Sequence, residues 1–258
     1  MHIAMTPKKI VTFTLTLLIV LSSLNAYAGQ WDGFFFGVNA GVARSNAKYE
    51  TGPDTTAGWA SWPVEAPGMW ANGGRDKSSV NPLVGLSAAY NHQVDSFVFG
   101  AELGLNALNA ELAHEGTYLY TGSTQHYSYQ QQTRLDGLIT LRGRAGIAFG
   151  DSLVSVTGGL AASQLKASLG FNDDFAGAGH YTATRTKRDI ALGPTVGLAY
   201  EHMLPDDFAV KAELTYVDFG KARFSTPVIA ANGTHTGDMG FTSTQHLSIF
   251  TVGLEKKF

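Results

Sequence analysis

Cysteine is absent from this 258-residue chain, and with it go disulfides, zinc–thiolate centres and thiol nucleophiles. Charge is scarce too. Asp, Glu, Lys and Arg make up 15% of the residues and sum to a formal net charge of -3, where about 25% is usual for soluble domains. A near-neutral balance offers no basic stripe for nucleic-acid phosphates. Beyond residue 28 the chain also lacks any run of roughly 20 apolar residues, the length a helix needs to cross a bilayer. What it has instead is 30 glycines and 11% aromatic residues. Low charge with many aromatics and no long apolar run suits a protein that crosses a membrane with strands.

The first residues read as a targeting segment. Lys8 and Lys9 precede an apolar run from Ile10 to Leu21, and Ala26-Tyr27-Ala28 follows. A basic start, a short apolar core and an Ala-x-Ala site describe a secretory signal peptide. Residues 1–28 are therefore expected to be a signal peptide cleaved after Ala28, and residues 29–258 the exported domain.

The exported part alternates with period two, which belongs to strands and not to helices. The central example runs from Asp136 to Asp151. Gly137, Ile139, Leu141, Gly143, Ala145, Ile147 and Phe149 make one face, while Asp136, Leu138, Thr140, Arg142, Arg144, Gly146 and Ala148 make the other. Seven further stretches alternate in the same way: Gly33 to Tyr49, Ser79 to His92, Phe97 to Leu112, Val154 to Ala162, Asp189 to Met203, Phe208 to Tyr216, and a last one ending at Phe258. Short connections at Gln93–Ser96, Gly150–Asp151 and Leu204–Asp207 alternate with four long ones, at about 50–78, 113–131, 171–187 and 221–242. Short turns on one side, long loops on the other and an even strand number define an outer-membrane barrel. Lipid offers no partner to a free strand edge, so the last strand is expected to pair with the first. The expected fold is all-β: an eight-stranded antiparallel transmembrane β-barrel with four long extracellular loops.

Four segments resemble a known family. They are Trp31-x-Gly33-Phe34-Phe35-x-Gly37-x-Asn39-x-Gly41, Thr140-Leu141-Arg142-Gly143-Arg144-Ala145-Gly146, Lys211-Ala212-Glu213-Leu214-x-Tyr216-Val217-Asp218-Phe219-Gly220, and the closing Val252-Gly253-Leu254-Glu255-Lys256-Lys257-Phe258. In this order they resemble the small outer-membrane β-barrels of the "porin family" or outer-membrane immunogenic protein type. Lys256 departs from the family, which usually carries an aromatic there. The resemblance implies a monomeric barrel of the Gram-negative outer membrane, a surface-exposed antigen, and no established catalysis. The implied partners are outer-membrane lipids and lipopolysaccharide, with host or surface ligands at the loops.

The inward faces carry charges that need partners. Glu102, Arg142, Arg144, Lys211 and Glu213 fall about four to seven residues from the periplasmic ends of their strands, with Glu201, Glu255 and Lys257 nearer the rim. An interior of eight strands is just wide enough for side chains to fill, and unpaired charges there are costly. Glu102, Arg142, Arg144, Glu201, Lys211 and Glu213 are therefore read as one interior charge network. Inward glycines at 37, 41, 85, 100, 104, 146, 159 and 197 would leave room for the guanidinium arms. A narrow diffusion channel is the alternative use of the same residues.

Other chemistry is sparser. His114, His126, His180 and His235, with Tyr118, Tyr120, Tyr127 and Tyr129, lie in three of the expected loops, and such residues can ligate haem. Haem binding is thus a second alternative, weighed against ordinary polar loops. Trp59, Trp62 and Trp70 in the first loop read as interfacial anchors or loop packing. His246-Leu247-Ser248 is the one catalytic-looking pattern, similar to the His-x-Ser pair of a small outer-membrane lipid A deacylase. The residues after it differ from that enzyme, no acidic partner is readable nearby, and it is taken as a lipid-interface histidine. No catalytic, metal or cofactor site is assigned.

A closed barrel resists detergent until it is heated. The purified protein should migrate faster on a gel when unheated than when boiled, and identical migration would count against the barrel.

Overall fold

The computed structural model describes residues 29–54, 65–174 and 180–258. The expected signal peptide with its cleavage site after Ala28, and Trp59 and Trp62, lie outside the described residues. Eight strands close into an antiparallel barrel: β1 (Gly33–Asp54), β2 (Arg75–Val94), β3 (Phe97–Leu119), β4 (His126–Phe149), β5 (Ser152–Asp173), β6 (Tyr181–Met203), β7 (Phe208–Ala230) and β8 (His235–Lys257). The last strand pairs with the first from Phe35↔Lys257 to Asp54↔Asp238. Among the described residues a short helix, α1 (Ala66–Gly73), lies between β1 and β2. Among the described residues no helix is long and apolar enough to cross a membrane; the strands do so.

The three periplasmic connections are the short ones expected. Asp95, Gly150, Asp206 and Asp207 adopt positive φ there, which lets the chain reverse in two to four residues. The opposite side differs from expectation. Most of the four segments expected as long loops continue as strand, so that only 120–125 separate β3 from β4 and 231–234 separate β7 from β8. At 20 to 24 residues per strand, ~3.3 Å per residue and a tilt near 40°, the wall stands ~55 Å tall, about twice the ~25 Å apolar band of such barrels. Polar composition suggested loops, yet a strand pair beyond the membrane needs no apolar outer face.

The outer face marks where lipid ends. Phe36, Val38 and Val42 on β1 are exposed, and Arg44, Asn46, Lys48 and Glu50 follow on the same face. β3 passes from Phe97, Phe99, Leu103 and Leu105 to Asn109 and Glu111. β6 passes from Tyr200, Leu198, Val196, Leu192 and Ile190 to Arg188. One belt of apolar side chains thus surrounds the lower half, and a polar collar surrounds the upper half.

Two glycines break the period. Gly137 has φ 67° and Gly220 has φ 66°, and the register shifts beside both. A bulge with glycine in the left-handed region inserts one residue and moves everything beyond it to the other face. Asp136, expected inside, is consequently outside, paired with Arg134 at 2.8 Å, while Leu138 stays buried. Strict alternation cannot reveal this, because the bulge preserves the pattern on either side of itself.

Two stretches of the wall are not laddered. β2 and β3 pair only from Val94↔Phe97 to Leu83↔Leu108. β6 and β7 lose register between Thr195↔Val217 and Thr182↔Ile229. Both gaps open toward the polar collar, where water can reach the backbone, and the β6–β7 gap extends down to Ile190 and Leu192 at the top of the belt.

A Cβ at position 137 would meet nothing closer than 3.9 Å, so Gly137→Ala tests backbone conformation alone. It should cost about 1–2 kcal/mol, read as a lowered urea midpoint with unchanged migration of the folded form.

Candidate functional site in the barrel interior

The lumen is filled in four layers. At the periplasmic end Trp31, Phe35, Val98, Leu153 and Met203 pack together, and the chain start is tied there by the Trp31 backbone N–H donating to Gln93 Oε1 at 2.8 Å. Above them lies the charged layer. Next come Leu83, Leu108, Leu135, Leu138, Leu165, Val217, Phe219, Leu247 and Ile249. The outermost layer is aromatic, with Tyr49, Tyr120, Tyr127, Tyr129, Phe171 and Phe241 closing around Met69 of α1. Tyr129 donates to the Met69 carbonyl at 3.3 Å, Gln131 to the Gly73 carbonyl at 2.8 Å, and Asn72 to the Tyr127 hydroxyl at 2.8 Å. Gly73 packs so tightly that a Cβ would sit 1.8 Å from the Thr51 carbonyl oxygen. The helix therefore stoppers the extracellular mouth.

The structure places all six charged residues of the expected network inside and buried. It brings them together in two clusters. In the larger, Arg142 reaches from β4 to Glu102 on β3 and across the lumen to Glu213 on β7, with a second contact to Glu213 at 3.1 Å. Lys211 bonds Glu102 and lies 3.5 Å from Glu213 and 3.6 Å from Glu255. In the smaller, Arg144 pairs with Glu201 and donates to Ser155 Oγ at 3.1 Å. Arginine suits both positions because its planar fork can serve two carboxylates at once.

Glu201 and Glu255, which the sequence places nearer the rim, are both buried, at 0% and 2% exposure, and Glu255 belongs to the Lys211 cluster. Counting residues from the strand end misplaced them because strands in a barrel are staggered, so equal distance along the chain is not equal depth. The register Ala209↔Glu255 with Lys211↔Gly253 sets Glu255 diagonally across from Lys211, within reach of that ammonium at 3.6 Å. Small residues make the space. A Cβ at Gly37 would lie 2.6 Å from the Glu255 Cγ, one at Gly100 3.2 Å from the Arg144 Cγ, and one at Gly197 3.0 Å from a Glu213 carboxylate oxygen. The void left among Asn39, Ser87, Asn106, Thr140, Thr215 and the charges is about 40 Å³. That is room for a water or two, not a solute path.

The residues weighed for haem are dispersed. Tyr118, Tyr120, Tyr127 and Tyr129 form the inward aromatic layer, with ring centroids 4.8 to 6.2 Å apart. His126, His180 and His235 each face a carboxylate, at 3.1 Å from Asp174, 3.5 Å from Asp173 and 2.9 Å from Asp238. The His126 backbone N–H also bonds Asp174, which holds that carboxyl below its ordinary range. His114 lies 3.3 Å from the Tyr118 hydroxyl. Among the described residues no three His, Asp or Glu side chains group as a metal cage.

On the outer wall the structure corrects one reading. His246 does have an acidic partner: Asp218 on β7 lies 3.2 Å from its Nδ1, and the Tyr216 hydroxyl 2.9 Å away. The pairing Asp218↔His246 could not be seen without the registers. Ser248, two residues on, faces outward on the neighbouring pair Tyr216↔Ser248. At the periplasmic rim Lys256 sits 4.6 Å over the Phe208 ring and donates to the Asp206 carbonyl, so that residue still contributes to an aromatic-containing rim.

Closed eight-stranded architecture, an apolar belt and a packed lumen define a small transmembrane β-barrel. The chain belongs to the outer membrane protein beta-barrel domain family, whose model matches residues 13–254. It is 29% identical over 197 residues to the 31 kDa outer-membrane immunogenic protein of Brucella melitensis biotype 1, covering 74% of this chain and 72% of that one, and the Brucella suis biovar 1 protein of the same name matches equally. Among solved structures it resembles the outer membrane protein OprG from Pseudomonas aeruginosa, with a TM-score of 0.53, 14% identity, and 89% and 98% of the two chains covered. Its place is the outer membrane of a Gram-negative bacterium, as this family membership indicates.

Arg142→Ala would leave Glu102 and Glu213 buried together with Lys211 as the one cation they still share. The cost should be about 3–5 kcal/mol, read as a lower urea midpoint. A variant that unfolds with the wild-type protein would refute the pairing.

Proposed function

We propose that this protein is a closed outer-membrane barrel with a structural and surface-interaction role, not a pore and not an enzyme. The observation that carries this reading is the stacking of four filled layers along the lumen, from Trp31 through the Arg142 and Arg144 clusters to the Met69 stopper. A solute would have to displace buried ion pairs in one layer and apolar side chains in the other three. The charged layer acts as a plug that fixes how the strands pack. The Brucella relatives bear the name of immunogenic outer-membrane proteins, which fits a protein whose polar collar and strand ends face the outside.

The contact surface of this reading is the collar, since the strands rise well beyond the apolar belt and carry Arg44, Lys48, Glu111 and Arg188 on their outer faces. Haem capture draws no support from the inward-packed tyrosines, and among the described residues the His246 ring bonds Asp218 and the Tyr216 hydroxyl, not Ser248.

In planar bilayers the purified protein should give no discrete conductance steps at neutral pH. Regular ohmic steps that scale with salt would instead identify a diffusion channel. Haemin titration should leave the Soret band of free haemin unshifted, with His126→Ala behaving as the parent.

A further inference from the structure

The β6–β7 wall carries an opening that the closed-lumen reading does not use. Between Thr195↔Val217 and Thr182↔Ile229 the two strands form no ladder, and a cavity of about 400 Å³ lies in the gap. Its inner surface includes Leu165 and Phe219 from the middle apolar layer, and its outer lip Ile190 and Leu192. Those two lip residues are each 68% exposed, at the top of the lipid-facing belt. Pro194, at the lower end of the gap, has no N–H for a ladder, and the Gly220 bulge shifts the β7–β8 register just above Val217, the last residue β7 pairs with β6 below the gap. Above the gap Arg185 bridges to the Ser225 carbonyl at 2.6 Å and lies over the Phe224 ring, so the opening is bounded and not a frayed edge.

The charge around it is mainly positive. Lys187 and Asp189 line the cavity as an ion pair, and Lys221 and Arg223 line it as well. Lys166 and Arg188 stand directly opposite each other on the adjoining β5–β6 pair, an arrangement that repels unless an anion sits between. None of Lys166, Arg188, Lys221 and Arg223 has an ion pair to a carboxylate among the described residues; Asp189 in the lining is taken by Lys187 at 3.2 Å. The unladdered β2–β3 stretch shows the opposite sign, with Asp76, Glu111 and Glu115 on its outer face.

We propose that the β6–β7 gap binds a phosphorylated, acylated lipid of the outer leaflet. An acyl chain enters between Ile190, Leu192 and Phe219, and the phosphate is held by Lys166, Arg188, Lys221 and Arg223. The height fits, because the apolar lip and the cations straddle the level where the belt gives way to the collar. A basic side chain at a lipid surface attracts an anionic headgroup, so the cluster selects for phosphate over a zwitterionic surface. This site rests on the membrane placement and not on the closed lumen, so conductance and lipid binding fail independently.

The test is native mass spectrometry of the full-length folded protein in detergent, titrated with bis-phosphorylated lipid A, phosphatidylcholine or myristic acid. One lipid A should be retained at a concentration about tenfold below that for phosphatidylcholine. The double variant Lys221→Glu with Arg223→Glu should weaken lipid A retention by about tenfold or more, and Ala222→Trp, which fills the cavity, should weaken it without altering charge. Lys48→Glu, on the outer face of β1, should change nothing, and unheated gel migration verifies that each variant is folded. Equal retention of phosphatidylcholine or myristic acid, an equal effect of Lys48→Glu, or unchanged lipid A retention in both gap variants would overturn the proposal.

Discussion

A backbone N–H or C=O without a partner costs several kcal/mol in hydrocarbon, and that cost shapes everything else in this molecule. It forces β8 back onto β1, so the sheet has no edge where lipid surrounds it. Closing eight strands then leaves an interior only wide enough for side chains. The filling of that interior follows: aromatic and aliphatic layers where no charge is present, and paired charges where it is. The two places at which the ladder lapses open toward the collar, where water is at hand, and the β6–β7 one reaches down to Leu192 at the top of the belt.

The charged layer illustrates how closure turns a liability into a constraint. Arg142, Arg144 and Lys211 would be prohibitively placed if their strands faced an apolar core alone. Closure brings Glu213 across the lumen to Arg142 and Glu201 to Arg144. Such pairs add little net stability compared with well-packed apolar residues, but they are intolerant of any register that parts them. They therefore oppose strand slippage more than they add to the depth of the native state. Small residues at 37, 100 and 197 are the complement, since each lies where a methyl group would press on a network side chain.

The same economy explains the upper barrel. Beyond the belt the outer face turns polar while the inner face stays buried, with aromatic rings and hydrogen-bonded Thr51, Gln131, Thr133 and Gln245, so strands continue where composition alone suggests loops. Tyr127, Tyr129 and Phe171 bury their rings inward, and the seryl, glutaminyl and charged neighbours alternate outward. Met69 and Gly73 of α1 then seal the end. A segment such as 126–135 reads as polar on average, but its period-two division is that of a strand with a wet outer face and a dry inner one.

By itself the sequence determined the strand count, the short periplasmic turns, the division of most residues between inside and outside, and six of the seven charges that meet in the lumen. These are local properties: side chains alternate every second residue, and turns need residues that tolerate positive φ. Tertiary structure alone decided who meets whom. The pairing of Asp218 with His246, the depth of Glu255, the outward turn of Asp136 past Gly137, and the unladdered β6–β7 gap all depend on registers accumulated around a closed ring. A single inserted residue in one strand shifts that sum and flips a face, and no window of sequence contains the other strands against which it is measured.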